Sequence, residues 1–72
     1  MDNLAEFILN YRHKYAMTQH DLSKLLGITE VTLSNIERRK IKAGHRTIKS
    51  IADKMEIDII EVVKLNENNK QI

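Results

Sequence analysis

Residues 18 to 37 read TQHDLSKLLGITEVTLSNIE, two apolar stripes interrupted by a single glycine. Leu22, Leu25 and Leu26 recur at three- and four-residue steps, as do Leu33 and Ile36, so each half predicts an amphipathic helix. Thr18 and Thr29 stand where side-chain caps are favoured, and Gly27 can take the left-handed conformation that ends a helix, with Ile28 tucking in behind it. The third helix is predicted from the Thr29 cap to about Arg38. A turn of three or four residues forces the two helices to cross steeply and leaves the outer face of the second one uncovered.

That outer face is unusual. At about 100° per residue, Val31, Asn35 and Arg38 point away from Leu33 and Ile36. A helix about 10–12 Å across fits the major groove of B-DNA, where base edges display donors, acceptors and thymine methyls. Asn35 could make a two-pronged contact to adenine, Val31 could pack on a thymine methyl, and Arg38 could reach a phosphate. The plainer alternative for Val31 is a stray exposed valine, which is common on protein surfaces.

Charge points the same way once it is divided along the chain. The 72 residues carry a formal net charge of only +2. Residues 38–49, RRKIKAGHRTIK, hold six Lys/Arg and no acid, while each flank holds three Lys/Arg against five Asp/Glu. A basic block of this kind suits an anionic partner, though a solvated basic loop would look similar.

The remaining chain predicts three more helices. Leu4, Phe7, Ile8, Tyr11 and Tyr15 mark one over residues 3–15, capped by Asn3 with Glu6 completing a capping box. Residues 39–46 show no period and read as a loop around Gly44. Ile48, Ile51, Ala52 and Met55 mark a fourth helix with Thr47 as its cap, and Asp58 with Glu61 opens a fifth through a second capping box. Ile59, Ile60 and Val63 are more apolar surface than that short helix needs and form a candidate dimer face. The expected organisation is one domain over residues 1–66 and a polar, disordered tail over 67–72.

These residues together resemble the phage-repressor/Cro-like helix-turn-helix proteins, the XRE family. The resemblance covers about residues 4–63. It rests on Thr18-Gln19, Leu22, Leu26-Gly27-Ile28, Thr29, Leu33 and Ile36-Glu37, with the apolar spacing of the last two helices. It implies an all-α, five-helix, lambda-repressor-like fold and sequence-specific binding of double-stranded DNA. By position it places Glu30, Val31, Thr32 and Asn35 at base-reading positions and Gln19, Arg38, Lys40, Lys42 and Arg46 on the DNA backbone. It also implies an ion pair between Arg12 and Glu37. Two positions depart from the family pattern: Ser23 replaces an alanine and Arg39 a glycine. The usual proline of the following loop is absent. Since arginine takes a left-handed turn less cheaply than glycine, the third helix is expected to run longer or turn differently. Glu30 would read a cytosine amino group, or else simply favour the positive end of its helix dipole.

Other classes fit less well. There is no cysteine, no HExxH and no glycine-rich phosphate loop, and Ser23, Ser34 and Ser50 lie in helical patterns with no evident base. His13, His20 and His45 share no metal-ligand spacing. Lack of cysteine fits a reducing cytoplasm, and no stretch approaches a membrane span or a signal peptide. The expectation is a non-enzymatic prokaryotic or phage transcriptional regulator without cofactor or metal. It would be a repressor acting as a homodimer on an inverted repeat. The alternative is an antitoxin-like module that masks a protein partner, with DNA binding secondary.

Overall fold

Side-chain caps start four of the five helices in the computed structural model, which describes residues 2–70. Helix α1 is Leu4–Lys14, α2 Gln19–Leu26, α3 Glu30–Glu37, α4 His45–Lys54 and α5 Ile59–Glu67, and the described residues contain no strand. Thr18 and Asp21 form a reciprocal capping box, each side chain accepting the other's backbone N–H at 3.0 Å. The Thr18 backbone N–H, then its hydroxyl, hold the exposed Asp21 carboxyl below its ordinary value. The cap is therefore intact at neutral pH and is lost as pH falls through that lowered value.

The other caps are simpler than the sequence suggests. Asn3 accepts from the Glu6 N–H, but Glu6 reaches back to Asp2 rather than to Asn3. Asp58 accepts from the Ile60 N–H, and its own backbone N–H does not reach the Glu61 carboxylate among the described hydrogen bonds. Thr47 is not the cap of α4: the N-cap is Gly44, three residues earlier, and Thr47 is buried in the helix's first turn.

The core draws on all five helices: Leu4 and Ile8 from α1, Leu22 and Leu26 from α2, Leu33 and Ile36 from α3, Ile51 from α4, Val62 and Leu65 from α5. Leu25, expected to face inward, lies at the rim and is partly exposed. Fully burying one such aliphatic side chain contributes about 1.5–3 kcal/mol, so α3 is anchored chiefly by Leu33 and Ile36.

A second anchor is polar. Arg12 Nη1 lies 2.7 Å from Glu37 Oε1, and the two side chains are only 19% and 6% exposed. Gln19 Nε2 donates to the same oxygen at 3.1 Å, and Arg12 Nε donates to the Met17 carbonyl at 3.3 Å. One carboxylate at the end of α3 thus binds α1 and the start of α2. Its other oxygen, Oε2, is buried without a hydrogen-bond partner among the described residues.

Helix endings rely on the left-handed conformation, and glycine supplies it only once. Gly27 has φ 72°, but Ala16, Arg39 and Glu56 also have positive φ, at 51°, 60° and 53°. At Arg39 the N–H bonds the Ile36 carbonyl and the Lys40 N–H bonds that of Asn35, which closes a Schellman motif. Helix α3 therefore ends where a glycine-bearing chain would end, despite the arginine.

Arg12→Ala leaves a buried carboxylate held by Gln19 alone and should cost about 3 kcal/mol, lowering the melting temperature by more than about 10 °C; a shift of only a few degrees would refute the anchoring role. Glu56→Gly removes left-handed strain of about 1–2 kcal/mol at an exposed site, against roughly 0.5–1 kcal/mol of added chain entropy. Thermal unfolding should show a small gain in stability, and a loss would mean that the Glu56 side chain contributes more than its turn costs.

Candidate nucleic-acid interface

The α2–turn–α3 unit is held rigid at its corner. The Ile28 N–H bonds the Ser23 carbonyl at 3.0 Å, completing the turn at Gly27, and the Ser50 hydroxyl of α4 donates to the Leu26 carbonyl at 2.7 Å. Ser23 is buried, its hydroxyl donating to the His20 carbonyl, so serine fits this interior position without an orphaned polar atom. With one face of α3 sealed by Leu33 and Ile36, its opposite face is left to solvent.

That opposite face forms a shallow depression of about 360 Å³ lined by Gln19, Glu30, Val31, Ser34, Asn35 and Arg38. Val31 is 71% exposed at its edge. The set offers amide, carboxylate, hydroxyl, guanidinium and a bare aliphatic group side by side, the mixture that can read base edges and a thymine methyl. A larger depression of about 420 Å³ lies away from this face, lined by Phe7, Tyr11, Tyr15, Met55 and Ile57 among others. It also carries polar groups, those of Asn10, Lys14 and Glu56, but none of the positions that the sequence pattern assigns to DNA.

The positions singled out in the sequence fall into three groups. Gln19, Glu30, Val31, Asn35 and Arg38 share the depression. Thr32 does not line it: its backbone N–H donates to Thr29 Oγ1 at 3.1 Å and its hydroxyl lies 3.0 Å from the same oxygen. Lys40, Lys42 and Arg46 are exposed outside it, in the segment after α3 and the first turn of α4. Gln19 has a double position, since the amide that lines the depression is also tied to Glu37.

Ser34 and His20 were not singled out for this face. Ser34 lies three residues after Val31 and four after Glu30, so helical arithmetic alone would have found it. His20 Nδ1 lies 3.4 Å from Glu30 Oε2, both side chains more than half exposed. That approach joins the first turns of α2 and α3 across the glycine turn, and no local pattern in the sequence reports it.

Within the basic segment, Arg39 differs from its neighbours. Its guanidinium turns inward, Nη2 donating to the Asn68 carbonyl at 3.0 Å and Nε to that of Asn69 at 3.3 Å. Arg38, Lys40, Lys42, Arg46 and Lys49 remain exposed. Five cations therefore stand exposed after the recognition-type helix without an ion-pair partner among the described residues, and with no acid in the same stretch of chain.

Comparison with curated proteins and with solved structures gave no match. The family model described as "Helix-turn-helix" matches residues 8–62, which span α1 from Ile8, both helices of the exposed unit, α4 and the start of α5. With the five-helix fold, the glycine turn and the open face of α3, that match places the chain in the phage-repressor/Cro-like helix-turn-helix family, the XRE family of DNA-binding regulators.

Proposed function

We propose that this protein is a sequence-specific, non-enzymatic DNA-binding repressor of the cytoplasm, acting as a homodimer on an inverted repeat. The observation that supports this most is the depression on α3, where Val31 stands exposed among Glu30, Ser34, Asn35 and Arg38 while the other side of the same helix is fully buried. In the major groove Asn35 would pair with adenine, Val31 with a thymine methyl and Glu30 with a cytosine amino group. Arg38, Lys40, Lys42 and Arg46 would meet the flanking phosphates, with Gln19 on the backbone from the start of α2.

Dimerisation is supported by Ile59, Ile60 and Val63, exposed together on α5, Ile60 at 63%. A symmetric contact there would suit two half-sites about 34 Å apart, since one copy measures 28 Å along its longest axis. The same apolar face also favours the second reading, a module that masks a protein partner. The two readings part on whether the protein selects a DNA sequence.

Salt dependence tests the phosphate contacts. With four phosphates neutralised, log K against log salt should fall with a slope of about −3.6; a flat response would remove the basic segment from the interface. Glu30→Ala tests base reading. If Glu30 accepts from cytosine, the variant should lose preference at one base pair of the selected site, worth about 1–3 kcal/mol. Uniformly tighter binding to every sequence would instead show that Glu30 only repels phosphate.

A further inference from the structure

The segment that carries three of the five exposed cations, residues 38–43, has little structure of its own. Beyond the Schellman bonds at Arg39 and Lys40 it forms no helix, and it contains no proline to stiffen it. Yet its backbone is held closely, and the holder is the asparagine-rich stretch at the end of α5. Asn66 Oδ1 accepts from the Ala43 N–H at 2.7 Å, and Asn66 Nδ2 donates to the Ala43 carbonyl at 3.0 Å. Both groups are buried. The carboxamide therefore satisfies donor and acceptor of one loop residue at once, as a neighbouring strand would.

Asn69 extends the hold to three segments. It is fully buried, accepts from the Ala5 N–H at 2.7 Å, and donates to the carbonyls of Ile36 at 3.0 Å and Ile41 at 2.9 Å. Ala5 lies in the first turn of α1 and Ile36 in the last turn of α3, where backbone groups lack partners within their own helices. Arg39 closes the arrangement from the loop side through its bonds to the Asn68 and Asn69 carbonyls.

We infer that Asn66 and Asn69 are positioning residues for DNA binding. They fix the backbone of residues 36–43 so that Arg38, Lys40 and Lys42 are presented in one register to the phosphates. This rests on the DNA-binding reading above and assigns it a part that neither α3 nor the basic residues supply. The clamp is attached to the end of α5, the helix whose exposed face is the candidate dimer surface. A contact made there is joined to the phosphate-binding segment through two carboxamides.

The test is the salt slope of Asn66→Ala on the DNA sequence retained by the wild type, at a temperature where circular dichroism shows both proteins folded. Loss of one or two phosphate contacts should make the slope shallower by about 0.9–1.8 and weaken low-salt binding at least about ten-fold. A purely structural role would lower the melting temperature and leave the slope of the folded protein unchanged, which would overturn the inference. If Asn66→Ala does not fold, Arg39→Gly replaces it, since glycine eases the left-handed turn while removing the two Arg39 bonds that close the clamp onto the Asn68 and Asn69 carbonyls. A fall in slope of more than about 0.9 then exceeds the loss of one charge and supports positioning; a smaller fall overturns it. A wild type that binds no DNA overturns the regulator reading and this inference together, whereas wild-type binding with an unchanged variant overturns this inference alone.

Discussion

Glu37 is where the first three helices meet. Its carboxylate sits at the last residue of α3, accepts from Arg12 of α1 and Gln19 of α2, and is itself almost wholly buried. A buried carboxylate with one guanidinium partner is costly to leave alone, so the arrangement constrains more than it stabilises. It fixes how far α3 can slide or roll against the first two helices, and with Leu33 and Ile36 beneath it settles which face of α3 stays outside. The depression at Val31 and Asn35 is the other side of that same constraint.

A chain of 72 residues has little stability to spare, on the order of 4–11 kcal/mol at typical values per residue. Polar contacts that join distant segments are accordingly concentrated at the ends of helices, where backbone groups need partners in any case. Ser50 on Leu26, Asn69 on Ala5 and Ile36, and Arg39 on the chain after α5 each satisfy such a group while tying a second element to it. The outcome is a DNA-binding-type surface that is exposed in its side chains and fastened in its backbone.

Much of this was legible in the sequence, for reasons that can be named. The apolar stripes of α2 and α3 and the break at Gly27 are local, so Leu22, Leu26, Leu33 and Ile36 could be placed inward, and the face bearing Val31, Asn35 and Arg38 followed by rotation. Most of what is not legible there depends on partners remote in sequence. The stretch ENNKQI, residues 67–72, reads as a disordered tail because asparagine commonly faces solvent, yet Asn69 is buried and pairs with a backbone group 64 residues away, as Asn66 just before it does with one 23 residues away. Residues 67–69 therefore belong to the folded unit, while residues 71 and 72 lie outside the described structure. Arg39 was expected to alter the end of α3, but two Schellman hydrogen bonds and two side-chain bonds offset a left-handed strain of about 1–2 kcal/mol. Nothing in the sequence marks the start of α4, because Gly44 caps it without a side chain.

The measurement that bears most directly on the account is selection by the purified protein from a pool of random duplex DNA, followed by sequencing of the retained molecules. The account predicts enrichment of an inverted repeat whose half-sites lie about one helical turn apart, with base preferences that change when Asn35 or Val31 is replaced. Retention of duplexes without any shared sequence, or no retention at all, would contradict it. Either outcome would assign the exposed faces of α3 and α5 to a protein partner instead.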